Sequence, residues 1–104
     1  ELILRVTDLI ISNMNNGKLN MTFLSEECSI SQMQLYRKVK ELLQMTPVEY
    51  IKTLRMERAE DLLTSTSMSV QKVMYECGFS SKSYFFKEFA TKFGCTPGEY
   101  RKKR

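Results

Sequence analysis

One segment of the sequence occurs twice, fifty residues apart, and this repetition constrains the fold more than any other feature. Met45-Thr46-Pro47-Val48-Glu49-Tyr50 corresponds to Cys95-Thr96-Pro97-Gly98-Glu99-Tyr100. In both copies the Thr-Pro-x-Glu pattern is typical of a helix start. The Thr hydroxyl can accept a backbone N–H, Pro fits the first helical position, and Glu can reach back as in a capping box. The sequence therefore predicts a repeat built from helices.

The correspondence extends upstream of this landmark. Positions of the same apolar or basic character keep the offset of fifty: Leu35 with Phe85, Val39 with Phe89, Leu43 with Phe93, and Arg37 with Lys87. Before the turn the offset falls to 49, so that Cys28 corresponds to Cys77. The second copy therefore has one extra residue in its turn, which reads Gly78-Phe79-Ser80 against Ser29-Ile30. A Gly at positive φ fits such a turn, and the pattern predicts one helix-turn-helix unit used twice.

The composition argues against most catalytic and metal chemistry. The chain has no histidine, which removes His-based acid/base relays and most zinc sites. Its three cysteines, spaced by 49 and 18 residues, form neither a disulfide framework nor a Cys-x-x-Cys pair. We therefore expect no enzyme activity, no cofactor and no bound metal, in a reduced, cytoplasmic compartment. No apolar run approaches the roughly 20 residues of a spanning helix, so we expect no membrane contact.

The hydrophobic periodicity predicts an all-α chain with about seven helices and no strand. We expect these helices at about 2–15, after Asn20, at 31–44, at 46–64, after Ser69, at 81–93 and from Pro97 onward. The fourth is a long linker helix, with Val48, Ile51, Ala59 and Leu62 expected along one buried stripe. The predicted division is a first helix-turn-helix subdomain at 1–45, the linker helix at 46–64 and a second subdomain at 65–104. Because Glu1 already reads as helical, we expect a piece of a longer protein.

Charge is informative by position and not in total. The net charge of +4 equals the four bases of the tail Arg101-Lys102-Lys103-Arg104, which we expect to be a frayed, solvated end. Within the repeat, the segments 29–44 and 80–95 each hold three bases against one acid. Basic residues thus concentrate on the two helices that a helix-turn-helix presents to DNA. Such a distribution favours phosphate contacts whose strength falls with salt, although each lysine could equally serve to solvate its helix face.

The ordered motifs resemble those of one family. Val73-Met74-Tyr75-Glu76-Cys77-Gly78-Phe79-Ser80-Ser81, followed by Tyr84-Phe85, Lys87, Phe89, Phe93-Gly94, Pro97 and Tyr100-Arg101, is similar to the signature of AraC/XylS-type bacterial transcription regulators. The resemblance implies two helix-turn-helix subdomains joined by one helix, binding double-stranded DNA through helices three and six. It also implies RNA polymerase as a partner and a signal-sensing or receiver portion elsewhere in the parent protein. The family usually has a small residue, commonly Ala, where this chain has Ser25 and Met74. Ser25 is small enough for close helix contact, but Met74 is not, and it either fills a gap or loosens the second subdomain.

Helical geometry selects the residues that would face DNA once Leu35, Val39 and Leu43 point inward. The outward positions are Gln32, Met33, Tyr36, Arg37 and Lys40 in the first copy, and Lys82, Ser83, Phe86 and Lys87 in the second. The base-contacting positions of the resembled family fall on the same residues, apart from Lys40. Arg and Lys suit guanine, Gln suits adenine, and Met or Phe can touch a thymine methyl. For Met33 and Phe86, core packing is an open alternative.

Two further expectations concern the whole chain. The linker helix of about 19 residues spans about 28 Å at 1.5 Å per residue, close to one DNA turn of about 34 Å. We therefore expect helices three and six in successive major grooves of a bipartite, asymmetric site. The alternative is a helical protein-interaction module in which the exposed Met33, Tyr36 and Phe86 anchor a protein partner. Salt-insensitive binding that survives loss of Arg37 would favour this alternative.

Overall fold

The structure is a computed structural model that describes residues 1–103. Within this range the chain forms seven helices and no strand, which confirms the predicted all-α class. The helices are α1 (Leu2–Ser12), α2 (Met21–Glu27), α3 (Gln32–Leu43), α4 (Pro47–Ser65), α5 (Val70–Glu76), α6 (Lys82–Phe93) and α7 (Pro97–Lys102). None of them, in the part of the chain described, has the length and apolar character needed to cross a membrane. Arg104, the last residue of the tail, lies outside the described residues.

The chain divides into two compact units, Glu1–Leu54 and Arg55–Arg104. Unit 1 contains α1, α2, α3 and the first part of α4, and unit 2 contains the rest of α4 with α5, α6 and α7. The boundary thus falls inside α4. The finer division into 1–45, 46–64 and 65–104 stays a prediction.

The core of unit 1 is aliphatic. Its fully buried members come from all of the first three helices: Val6, Ile10, Leu24, Leu35 and Val39. At its edge, Tyr50 and Thr7 share a hydrogen bond of 2.7 Å between their hydroxyls. Arg5 Nη2 donates to the Glu27 carbonyl at 3.1 Å, near the end of α2. Apolar burial therefore fixes α3 against α1 and α2, and polar contacts link α1 to the end of α2 and to the start of α4.

The core of unit 2 is aromatic where unit 1 is aliphatic. Phe85 and Phe89 are fully buried, and the ring centroids of Phe89 and Phe93 lie 4.4 Å apart. The Tyr100 ring meets Phe89 edge-on at 5.6 Å, and its hydroxyl donates to the Glu60 carboxylate. Such ring pairs are favourable beyond their area of burial. Unit 2 thereby fixes α6 and α7 against the last part of α4.

Each helix-turn-helix turn uses a left-handed residue. Ser29 has φ 56° and Gly78 has φ 87°, at equivalent positions after α2 and α5. The next residues, Ile30 and Phe79, donate their N–H to the carbonyls of residues 25 and 74 at 3.1 and 3.0 Å. This 6→1 bond is that of a Schellman motif. The two turns therefore correspond residue by residue up to Ile30 and Phe79, and the extra residue of the second copy is Ser80.

Three sequence predictions are corrected by the structure. Helix α1 ends at Ser12 and not near residue 15, because Asn13 ends the helix: its side chain Nδ2 donates to the Leu9 carbonyl at 2.8 Å. Val48 is 63% exposed and not part of a buried stripe. The single stripe fails because Ile51 packs into the core of unit 1, whereas Ala59 packs into that of unit 2.

The third correction concerns Arg101, which the sequence placed in a frayed, solvated tail. Arg101 lies within α7 and is not frayed. Its Nε donates to the Leu63 carbonyl at 3.0 Å and its Nη2 to the Thr66 carbonyl at 3.4 Å. These acceptors lie at the end of α4, where carbonyls lack helical partners and a positive charge is favoured. Arg101 therefore links α7 to α4 inside unit 2.

Candidate nucleic-acid interface

Helix α3 is set by its first residues and by its buried face. Ser31 is the N-cap: its hydroxyl accepts the N–H of Gln34 at 3.1 Å, and the Gln34 side chain accepts the N–H of Ser31 at 3.2 Å. This reciprocal pair is a capping box. Leu35 and Val39 on the same helix have no exposed surface. The opposite face of α3 is therefore presented to solvent with a fixed orientation.

Four of the five predicted site residues of unit 1 lie together on that outer face. Met33, Tyr36, Arg37 and Lys40, with Glu41, line one shallow depression along α3. Met33 is 69% exposed and Tyr36 is 44% exposed, so neither belongs to the core. Arg37 and Lys40 are also exposed. An apolar group, a phenol and two cations are thus available on one helix face.

Gln32 occupies the first turn of α3 and is exposed. It has a partner that the sequence did not predict: its Nε2 donates to Thr22 Oγ1 on α2 at 3.1 Å. A sequence pattern gives no direct sign of this bond, since the two residues are ten positions apart on different helices. Only the register of the repeat, which places both residues beside the turn, could have drawn attention to the pair.

Helix α6 presents a different set of side chains. Its N-cap Ser81 accepts the N–H of Tyr84 at 3.2 Å. Lys82, Ser83 and Lys87 are exposed, whereas Phe86 is half-buried and packs against the unit 2 core. The Phe86 ring lies edge-on to Phe85, at 6.0 Å between centroids.

Phe86 also forms a cation–π contact with Lys82. Lys82 Nζ lies 5.5 Å from the centroid of the Phe86 ring, a cation–π distance. Of the two alternatives open for this residue, core packing therefore accounts for part of the ring surface. A predicted DNA-contacting lysine lies over the same ring. The structure brings Lys82 and Phe86 together as a pair, which spacing alone did not reveal.

Unit 2 has a cleft between α5 and α6. It measures about 270 Å³ and is lined by Val70, Gln71, Met74, Lys82 and Phe86. Met74, the residue that departs from the usual small side chain, is half-buried, packs on the core and lines this cleft. The long Met side chain thus contributes to packing while the space beside it stays open.

The charge and shape of the two outer faces define what they can do chemically. Exposed guanidinium and ammonium groups can neutralise phosphates, and the same groups can donate to guanine O6 and N7. The exposed Gln32 amide can both donate and accept, as adenine requires. A helix of about 10–12 Å diameter fits the major groove of B-DNA, which is about 12 Å wide.

Comparisons with known proteins agree with this geometry. The profile of a family described as a helix-turn-helix domain matches residues 24–103. A solved structure from Chromobacterium violaceum is described as a transcriptional regulator with an AraC-type DNA-binding domain. It matches with a TM-score of 0.90 and 30% identity, over 98% of this chain and 90% of that one. The chain belongs to the AraC-type helix-turn-helix family.

Curated relatives of this AraC-type domain are longer than the chain. The activator RhaR of Mannheimia succiniciproducens is 35% identical over 95 residues, which cover 88% of this chain and 34% of that protein. "Histidine kinase P4" of Formosa agariphila is 32% identical over 101 residues, covering 97% of this chain and 7% of that protein. The chain thus spans about a third or less of the length of these two relatives.

Family membership decides between the two functions considered from the sequence. AraC-type domains are a class of sequence-specific DNA-binding domains of bacterial transcription regulators, not a class of enzymes. Sequence-specific DNA binding in transcription regulation is therefore the function of this domain, and the protein-interaction module is not favoured.

Proposed function

We propose that α3 and α6 each enter a major groove of double-stranded DNA, so that each unit reads one half of a bipartite site. The observation that carries this proposal is the outer face of α3, where Met33, Tyr36, Arg37 and Lys40 lie together opposite a fully buried face. A recognition helix needs this arrangement, because the side that reads bases must be free while the other side is anchored.

Individual roles follow from the chemistry of each side chain. Arg37 and Lys87, at equivalent positions of α3 and α6, donate to guanine edges or to phosphates. Gln32 pairs with adenine, and Met33 contacts a thymine methyl. Tyr36 and Lys40 bind phosphates at the groove edge.

In α6, Lys82 and Ser83 act at the helix start, and the exposed edge of Phe86 provides apolar contact. Because these side chains differ from Gln32 and Met33 in α3, the two half-sites differ in sequence.

The domain acts, on this proposal, as the DNA-binding output of a longer regulator in the bacterial cytoplasm. The share of each relative that the chain covers supports this, since most of the length of each of those two proteins lies outside the matched region. A signal-sensing or receiver portion would control the domain, and RNA polymerase would be its partner at promoters. Co-purification of the full-length regulator with RNA polymerase on promoter DNA tests the last step; a complex lacking polymerase would contradict it.

The reading roles are tested by alanine substitution in the intact chain. Arg37→Ala and Lys87→Ala should each weaken binding to the preferred duplex by about 1–3 kcal/mol, and discrimination at one base position should fall. Lys18→Ala is the matched control, because Lys18 is an exposed lysine in the turn region after α1. Titrations at several salt concentrations should show that affinity falls with salt. The proposal fails if the control loses as much affinity as the two variants, or if binding ignores salt.

A further inference from the structure

The junction between the two helices of a helix-turn-helix is closed differently in the two units. In unit 2 the residues that line the 270 Å³ cleft include Gln71 on α5 and Lys82 on α6. The repeat offsets of 49 and 50 place Thr22 and Gln32 at the equivalent positions of unit 1. There the two side chains are joined by the 3.1 Å hydrogen bond from Gln32 Nε2 to Thr22 Oγ1. Unit 1 therefore has a hydrogen bond between Gln32 and Thr22 at the place where unit 2 has a cleft.

The hydrogen bond to Thr22 determines which groups of the Gln32 amide remain available for a base. With one N–H of Nε2 given to Thr22, the amide retains its other N–H and its Oε1 acceptor. Adenine offers an N6 donor beside the N7 acceptor, whereas guanine offers two acceptors, O6 and N7. An amide held in this orientation matches adenine and sets its Oε1 against guanine O6. A freely rotating amide would lose more side-chain entropy on pairing and could present either end.

We propose that Thr22, which lies on α2 outside the recognition helix, is a specificity-determining residue that positions Gln32 for adenine. This inference rests on the proposed base-reading role of Gln32. Thr22 itself is exposed, near the start of α2, where its hydroxyl is the group that accepts from Gln32. Its backbone carbonyl accepts from Ser25 Oγ at 3.0 Å, a bond that a change of side chain leaves in place.

Unit 2 uses another means at the equivalent position. Lys82 stands in place of Gln32 and lies over the Phe86 ring, one turn further along the same helix. A lysine has only donors, so it needs no fixed amide orientation to choose between bases. The inference therefore applies to unit 1, and Gln71 of unit 2 supplies a matched control.

The test measures base preference at the position read by Gln32, first located by selecting bound duplexes from a random pool with the native protein and with Gln32→Ala. Thr22→Val keeps the branched shape and removes the hydroxyl. It should lower the preference for adenine over guanine by about two- to tenfold, the usual worth of one hydrogen bond. Thr22→Ser should keep the native preference, and Gln71→Val should leave this base position unchanged.

A double-mutant cycle separates the possible failures. In the Gln32→Ala background, Thr22→Val should have no further effect on base preference. Equal loss of affinity for every base would identify Thr22 as a phosphate contact and overturn the inference. An unchanged preference in Thr22→Val, with preference abolished in Gln32→Ala, would overturn the inference alone. If Gln32→Ala keeps the native preference, both the inference and the proposed role of Gln32 are wrong. Thermal melting of each variant confirms that it is folded.

Discussion

Gly94 allows a stability prediction that follows from the backbone alone. It ends α6 with φ 82°, and its N–H donates to the Ala90 carbonyl at 2.8 Å. A Cβ added at Gly94 meets nothing within 4 Å. Gly94→Ala therefore adds no clash, and its effect comes from the left-handed backbone, which costs an L-residue about 1–2 kcal/mol. Restriction of the unfolded chain offsets about 0.4–1 kcal/mol of this.

The expected net loss for Gly94→Ala is about 1 kcal/mol in the free energy of unfolding, or about 4–8 °C in Tm for a domain of this size. Gly17→Ala is the control, because a Cβ there also meets nothing and Gly17 lacks a positive φ. Urea titration followed by circular dichroism measures both variants. Equal stability of Gly94→Ala and the native protein, or an equal loss in Gly17→Ala, would refute the reasoning.

The reciprocal change tests the same argument in unit 1. Gln44 occupies the equivalent position at the end of α3 with φ 58°, as a residue other than glycine. Gln44→Gly relieves the left-handed strain and loses the 2.8 Å bond from its Nε2 to the Glu41 carbonyl. Because that bond is exposed and worth about 1 kcal/mol or less, we expect no net loss of stability. A clear loss would show that this bond outweighs the backbone strain.

Two further predictions concern titratable groups. Burial raises the pKa of the Cys77 thiol to about 12. Iodoacetamide at about pH 8 should therefore modify the half-buried Cys28 before the buried Cys77, and unfolding in urea should remove this difference in rate. Faster labelling of Cys77 than of Cys28 in the folded protein would contradict the burial of Cys77. Hydrogen bonds from the backbone N–H and the side chain of Thr46 hold the pKa of the Glu49 carboxyl below its usual range. The stabilising contribution of Glu49 should be complete above the unfolded pKa and lost as pH falls through the lower folded value. Glu49→Gln should therefore differ from the native protein in urea midpoint at neutral pH, and the difference should shrink as pH falls through the folded pKa of Glu49; a difference that stays constant with pH would be evidence against this capping contribution.

The sequence predicted the helices well because the residues beside each helix start determine where the helix begins. Ser31 and Thr96 are the N-caps of α3 and α7, each with a complete capping box. Periodicity also identified the buried face of α3, since Leu35 and Val39 repeat at helical spacing and lie in one core. Where one cap or one core decides a feature, the sequence is sufficient.

The sequence was insufficient where two parts of the chain meet. Val48 fitted a single stripe along α4, but that helix contributes to two cores, so the stripe does not continue. Arg101 read as part of a solvated tail because its acceptors, the carbonyls of Leu63 and Thr66, lie more than thirty residues earlier. The Gln32–Thr22 bond likewise depends on how α2 and α3 pack. Periodicity within one helix carries no information on such contacts.

The half-site spacing provides the most direct test of sequence reading by both units. The preferred duplex from selection is compared with one that carries about five additional base pairs between the half-sites, roughly half a helical turn. The insertion turns the half-sites to opposite faces of the DNA, so affinity should fall to that of a duplex with one half-site. Insertion of about ten base pairs serves as a control for phase, since it restores the face while changing the distance. If the duplex with the half-turn insertion binds as tightly as the original, only one of the two units reads sequence, and the account of a duplicated DNA reader is wrong.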